Sequence, residues 1–369
     1  MRFFYGEEME KNNYPRHVEH VFEFDIPPGQ GIERLDVYLT RVIPNASRNK
    51  VQEAIAEGSV IVNGLKAKNS RKVLPGDHIV CTILKPPPME LIPEDIPLNI
   101  VFEDDRIIVI NKPAGMVVHP GFGNRYGTLV NALLFHLGMR EGILIDEDEN
   151  SESEQNDEDE IDLVTLNTND EFRPGIVHRI DKDTSGVLVI AKDVEALAYL
   201  SKQFRDRTSE REYYALVWGI VKNDEGEIVS HIVRSPRDRK IFMATDNTKL
   251  GKFAHTTYSV VERYEFCTLL KLKLKTGRTH QIRVHCASIG HPLMSDAAYG
   301  GAHIAYSGIK SGVMKSKAEE VLRIIPRQAL HAKSLGFVHP TTLQKMMFDS
   351  HLPDDFAQAL DFCRRISTI

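Results

Sequence analysis

The spacing of apolar and polar positions sets most of the expected elements. Within residues 32–84, Leu35, Tyr38, Leu39 and Val42 fall at i, i+3, i+4 and i+7, one face of an amphipathic helix. Pro44-Asn45-Ala46-Ser47 interrupts it, and Ser47 is a good N-cap for a second helix, Arg48 to Glu57. Gly58 ends that helix, and SVIVNG reads as a short strand running into an Asn63-Gly64 turn. Further on, strand-like apolar runs recur near 99–103, 106–111, 187–192, 212–221, 255–262, 268–275 and 328–338. Helical periodicity is expected near 128–137, 194–206, 279–289 and 354–365. Several neighbouring strands are too close for βαβ crossovers, so the fold class is α+β with a mixed, largely antiparallel sheet.

Three shifts of composition divide this pattern. Residues 1–17 read as an N-terminal extension and 18–84 as a small helix-and-hairpin domain. KPPPMELIPEDIP (85–97), with five prolines and no periodicity, reads as an extended, semi-rigid linker. Residues 98–350 form the main domain and 351–369 a C-terminal helix. Two insertions interrupt the main domain. Residues 141–171 are too polar to offset chain entropy by burial and read as a solvated loop, and 302–326 reads as a surface excursion. The four scattered cysteines, the absence of a signal-peptide core and the lack of a membrane-length apolar run point to a reducing cytoplasm.

Charge changes the picture. The 369 residues carry a formal net charge of −6, which taken alone argues against a polyanionic partner. Fourteen acids lie between Glu141 and Glu171, where no Lys or Arg occurs, so the rest of the chain carries +8. Residues 32–85 alone have nine Lys and Arg, counting Lys85 at the edge, against five acids. A solvated basic face explains that surplus as well as phosphate contact does. The order RLDVYL, SRNKVQEAI, GSVIVNG, LPGDHIV decides between them, because it resembles the S4 RNA-binding domain. By that resemblance the RNA face holds Arg34, Ser47, Arg48, Lys50 and Asn63.

The densest chemistry lies at PGIVHRIDKDTSGVLVIAK (174–192). Asp181 sits there on a polar loop between hydrophobic segments, and a buried strand follows. REYYALVWG (211–219) alternates like a strand and carries Tyr213. KTGRTHQIRVHCASIGHPLMSDAAYG (275–300) has a Gly turn and then a helix-like run with Arg278, His280, Gln281, Arg283 and His285. Each block alone has a structural explanation, an Asx turn, a packed aromatic or a solvated face. Together, with HRxDxxTSG and TGRTHQIRVH intact, they resemble the RluA/RluD family of RNA pseudouridine synthases across roughly residues 100–350. Ile180 stands where that family more often has Leu, and the acidic insertion departs from its pattern.

The resemblance implies a bent mixed sheet with a cleft across its middle, action as a monomer, structured RNA as partner and no cofactor or metal. Isomerising uridine keeps the bond energy of the glycosidic linkage, so no ATP or redox cofactor is called for, and the chain has no P-loop or zinc spacing. By matched position Asp181 is the catalytic carboxylate, Tyr213 stacks on the target base, and Arg283 is the cation beside Asp181, with Arg278 second. Arg179 fills the space left by an extruded base, and Thr184, Arg278 and His280 support the site. Attack on C1′ and assistance to 2′-deprotonation both stay open at this point. GFGNRYG (121–127) lacks the Lys-Ser/Thr of a phosphate loop, and HRID lacks the rest of a kinase set. His280 and His285 are five apart, wrong for a helical metal pair. Arg327 and His331 read as structural or phosphate-facing. The expected substrate is large-subunit ribosomal RNA. Alternatives are tRNA, a catalytically idle ribosome-assembly factor and a base-removing glycosidase.

Overall fold

The computed structural model describes residues 18–43, 46, 48–68, 70–85, 89–121, 124–145, 175–238 and 240–367. They fall into two compact units, one on residues 18–90 with 144–145, the other on 91–143 and 175–367. The N-terminal extension, Ser47 and residues 146–171 of the acidic insertion lie outside the described residues.

The first unit comprises β1 (Val18–Asp25), β2 (Glu33–Arg34), α1 (Leu35–Val42), α2 (Arg48–Glu57), β3 (Val60–Val62), β4 (Leu65–Lys66), β5 (Lys72–Val73) and β6 (His78–Lys85). One sheet runs β1-β6-β3-β4, and β2 pairs with β5. The periodic positions Leu35 and Leu39 of α1 meet Val51 and Ile55 of α2 in a core with Val60, Ile79 and Cys81. Gly58 takes a left-handed backbone where α2 stops, and Asn63 and Gly64 both have positive φ, as a two-residue hairpin turn demands.

The second unit is organised by an eleven-stranded sheet. Its elements are β8 (Ile100–Glu103), β9 (Ile107–Lys112), α3 (Leu129–His136), β11 (Gly175–Ile176), β12 (Ser185–Ala191), α4 (Val194–Arg205), β13 (Glu210–Trp218), β14 (Glu225–Arg234), β15 (Phe242–Thr245), β16 (Lys252–Arg263), β17 (Cys267–Leu274), α5 (Gln281–Ser288), α6 (Gly312–Ile324), β18 (Leu330–Val338), β19 (Lys345–Asp349) and α7 (Asp354–Ser367). The path is β15-β14-β16-β17-β13-β18-β12-β9-β8, with β11 on β12 and β19 on β18. The β12–β18 pair is parallel, and β12–β9, β13–β17 and β13–β18 are antiparallel.

The central strands are apolar on both faces, with the period of two that a pleated strand imposes. Ile108, Ile110, Leu188, Ile190, Ala215 and Val217 pack with Leu129 and Leu133 of α3 and Ile282 and Cys286 of α5. On alternate positions, Ile107, Val109, Val187 and Val189 pack with Leu197, Leu200 and Phe204 of α4. Leu216, Trp218 and Leu269 pack with α6 and α7 through Ala318, Val321, Phe356 and Leu360. Among the described residues no helix is long and apolar enough to cross a membrane.

Three expectations change here. Residues 302–326 are not a surface excursion, because Ala318, Val321 and Ile325 are fully buried in the core shared with α7. The acidic insertion does not begin as loop: Ile143–Ile145 forms a strand, β10, which pairs with β7 (Met89–Leu91). The end of the Pro-rich segment is tied down, since Asn131 donates to the Ile92 carbonyl and the Glu94 amide donates to the Asn131 carbonyl. α7, where a C-terminal helix is expected, closes a core of the main unit.

Gly186 shows how tightly the β12–β18 junction is drawn. It has φ +121°, and a Cβ there would meet the Ala332 carbonyl oxygen at 2.2 Å. Backbone cannot swing aside as a side chain can. Gly186→Ala is therefore expected to cost about 2–3 kcal/mol through forced backbone displacement, read as a lower denaturation midpoint. An unchanged midpoint would contradict this packing.

Candidate active site

Three chain segments converge on Asp181. The first is its own loop, which leaves Ile180 in the core and turns so that the Thr184 amide donates to the Asp181 carbonyl. The loop is held from below by Lys112, a lone cation at the end of the apolar strand β9. Its fully buried ammonium donates to the carbonyls of Pro113, Met116 and Lys182 at 2.7–2.9 Å. Burial pushes its pKa down to about 7, against the pull of Asp181 and Asp183.

The second segment is α5 and its lead-in. Gln281 fixes the helix start, donating to the His255 carbonyl and to Thr256 and accepting from Thr276 and the Arg278 amide. Arg283 then projects between Ile282 and Val284. Its Nε and Nη2 fork onto the two oxygens of Asp296 at 2.7 and 2.9 Å, and Nη1 donates to Asp181 Oδ2 at 2.9 Å. The fork suits a planar guanidinium and would not suit an ammonium. Arg283 also stacks 4.9 Å over the Tyr299 ring. His280 places Nε2 3.9 Å from Asp181 Oδ1 and Nδ1 2.8 Å from the Tyr299 hydroxyl.

The third segment is the lead-in to β18 and its first residues, which contact the DTSG sequence residue by residue. Arg327 donates to the Asp183 carbonyl, Gln328 donates to Thr184 Oγ1 at 2.8 Å, His331 meets the Ser185 hydroxyl, and Ala332 faces Gly186. Gln328 Nε2 also lies 3.4 Å from Asp181 Oδ2.

Burial of Asp181 works against its charge, but at the acid pH where the carboxyl titrates, a protonated His280, the charge and hydrogen bond of Arg283 and the charge of Arg179 outweigh it. The carboxyl ends below its ordinary range and is ionised at neutral pH. Its side chain keeps a quarter of its surface exposed, so a ligand can reach it. Burial holds His280 below its ordinary value despite Asp181. His119 is pushed down to about 4 by burial, with Arg179 adding to it. The site thus sets an ionised carboxylate between a fixed guanidinium and a neutral imidazole, suited to a reaction that develops positive charge.

The predicted residues divide. Asp181, Thr184, His280 and Arg283 are brought together as above. Arg179 is exposed beside them. Tyr213 lies on the face of β13 that packs with Ile180 and Ile282, at a bulge between Glu212 and Tyr213. Of the two candidate cations, Arg283 holds Asp181, while Arg278 donates from Nε to the Phe253 carbonyl. His285 is buried between the Ser230 and Thr256 hydroxyls and His331 between Ser185 and Ser350, so both serve the framework. Arg327 does as well, forked onto Asp355. Missed by sequence reasoning were Lys112, Gln328, Asp296 and Tyr299. A cation inside an apolar strand was the available signal for the first; the others are recognisable from contacts alone.

In the first unit, the fully buried Asp36 gathers Arg34, Arg48 and Gln52. Both arginines keep about half of their side-chain surface exposed, at 49% and 54%. Asn63 is used by the fold: it donates to Asp77 and accepts from the His78 amide. The Lys50 side chain lies outside the described residues, as Ser47 does.

Comparison with known proteins gives this arrangement a family. Profiles of RNA pseudouridylate synthase and of the S4 domain match residues 106–288 and 33–79. An uncharacterized RNA pseudouridine synthase of Chlorobaculum parvum is 44% identical over 93% of this chain and 98% of its own. The chain belongs to the RNA pseudouridine synthases. The Nitrosomonas europaea ribosomal large subunit pseudouridine synthase D is 39% identical, covering 94% of this chain and 89% of its own. The fold matches human RNA Pseudouridylate Synthase Domain Containing 4 with a TM-score of 0.51 at 23% identity, covering 72% of this chain and 93% of the human one. As an RNA pseudouridine synthase the chain is an isomerase with an N-terminal S4 domain.

Proposed function

We propose that this synthase isomerises one or more uridines of large-subunit ribosomal RNA, and that Asp181 is the reacting carboxylate. The reading of Asp181 rests on one observation: an ionised, partly exposed carboxylate is held by a buried guanidinium that is itself clamped by Asp296. In the reaction the C1′–N1 bond breaks, C1′ joins C5, the C5 proton leaves and N1 gains one. Positive charge grows on the ribose as N1 departs, and a fixed anion beside C1′ stabilises or captures it. Tyr213 stacks on the turning base. Arg34 and Arg48, with Ser47 and Lys50, form the S4 contact with RNA phosphates and set where the chain sits, while Asn63 holds the hairpin turn through Asp77 and His78. The reading of the substrate rests on the name of the Nitrosomonas europaea relative.

Mapping pseudouridines in ribosomal RNA and tRNA, with and without this chain, tests the substrate. Loss confined to large-subunit positions supports it; loss confined to tRNA overturns it. Purified enzyme should release tritium from RNA labelled at uridine C5. Free uracil would mark a glycosidase, and no release an idle RNA-binding factor.

Arg179 is exposed beside the reacting loop, and its planar side chain suits the gap left by an extruded base. Unstacking costs a few kcal/mol in a structured RNA and little in a flexible strand. Arg179→Ala should therefore lose about tenfold more activity on a structured RNA than on an unstructured oligonucleotide. Equal losses on the two substrates would remove this role.

A further inference from the structure

The two oxygens of Asp181 are not equivalent. Oδ2 receives Arg283 Nη1 at 2.9 Å and faces Gln328 Nε2 at 3.4 Å, whereas Oδ1 faces His280 Nε2 at 3.9 Å. How His280 addresses Oδ1 depends on which ring nitrogen carries its proton, and Tyr299 settles that. The Phe242 amide donates to the Tyr299 hydroxyl oxygen at 3.1 Å. Among the described residues His280 Nδ1, at 2.8 Å, is the acceptor within reach of the hydroxyl hydrogen, and an Nδ1–H there would leave that hydrogen unpaired. A neutral imidazole that accepts at Nδ1 carries its proton on Nε2.

Two further features hold this chain of bonds in place. The Tyr299 ring lies under the Arg283 guanidinium at 4.9 Å and meets the His280 ring edge-on at 5.7 Å and 84°. His280 itself has a left-handed backbone, φ +56° and ψ 19°, at the residue just before α5. A side chain with a Cβ pays for that conformation, and such strain is retained where surrounding contacts dictate it. Here the strained turn brings one imidazole between a tyrosine hydroxyl and a carboxylate.

We propose that Tyr299 and His280 are positioning residues for the reaction: Tyr299 fixes His280 as its Nε2–H tautomer, which directs an N–H at Oδ1 of Asp181. This rests on the reading of Asp181 as the reacting carboxylate. Arg283 and Gln328 occupy Oδ2, so Oδ1 is the oxygen presented to the ribose. The His280 N–H orients it electrostatically across the 3.9 Å between them, without becoming a base itself.

The test pairs tautomer with rate. In histidine-labelled enzyme, nitrogen-15 spectra should show an Nε2-protonated ring whose signals vanish in His280→Gln. In Tyr299→Phe, which keeps the ring under Arg283, that ring should become a tautomer mixture. Turnover of Tyr299→Phe should fall on the order of tenfold in kcat with KM within about twofold, the scale of one hydrogen bond felt in the transition state. His280→Gln, whose amide N–H can stand in for Nε2–H, should keep most of kcat and become indifferent to Tyr299→Phe. His280→Leu should fall at least as far as Tyr299→Phe. An Nδ1-protonated His280 in the wild type overturns the proposal. So does a wild-type rate in Tyr299→Phe, or an equal effect of that change in the His280→Gln background. The spectra do not depend on what Asp181 does: an active Asp181→Asn enzyme would remove the reading of Asp181 while leaving the tautomer assignment standing.

Discussion

Asp181→Asn should reduce tritium release from RNA labelled at uridine C5 on the order of 10³-fold or more, the scale seen when a group that acts on developing charge is removed. The substitution keeps the shape of the side chain and removes its charge and its nucleophilicity together. Arg283 keeps its fork on Asp296, so the buried guanidinium is not left without an anion. The fold should therefore persist, with a melting temperature close to wild type. RNA affinity should persist too, or rise slightly, because one negative charge is taken from a site that receives a polyanion. Filter binding at fixed salt reads the affinity and single-turnover kinetics reads the chemistry. Release close to the wild-type rate would end the assignment. Weak release with equally weakened binding would also count against it, since that pattern describes a residue used for uniform binding. Asp181→Ala, which cannot hold Arg283 through an amide oxygen, should show the same kinetic loss.

Much of this site is legible in the sequence, and what escapes does so for physical reasons. Asp181 and Arg283 are 102 positions apart yet hydrogen-bonded, and no local pattern could join them; the resemblance of whole blocks did. Helices α4, α5 and α7 follow from periodicity. α6 was misread because its buried face is carried by Ala318 and Val321 among charged and small residues, a weak stripe that tertiary packing makes decisive. The β14–β15 hairpin was missed although Ile228, Ser230 and Ile232 alternate inward. A serine in the middle breaks the apolar pattern, and it is buried because it meets His285. Gln328 and Asp296 illustrate a further limit. Each is a polar residue whose function is to hold another side chain, and composition does not reveal such a task. The S4 arginines were read as phosphate contacts, and what escaped was the buried Asp36 that gathers them.

Arg283→Met should have the second large effect, on stability and on pH dependence together. Asp296 is fully buried and forked by Arg283. Removing the cation strands that carboxylate, a change that costs about 3–5 kcal/mol in buried pairs and should lower the melting temperature clearly. At the same time Asp181 loses one of the three charges, and the hydrogen bond, that hold its carboxyl below the ordinary range, while burial still opposes ionisation. Its pKa must rise. A reaction that needs the ionised form is lost as pH falls through that pKa, so the acid limb of the pH–rate profile moves to higher pH in the variant. Arg283→Lys keeps a charge but not the fork, so it should show a smaller shift and an intermediate melting temperature. The double variant Arg283→Met, Asp296→Asn separates the two consequences. Neutralising the stranded carboxylate should recover part of the stability, whereas the displaced acid limb and the low rate should stay, because nothing is restored to Asp181. Recovery of rate along with stability would mean that Arg283 acts through the fold alone. An acid limb that does not move in Arg283→Met would mean that another group sets the charge of Asp181.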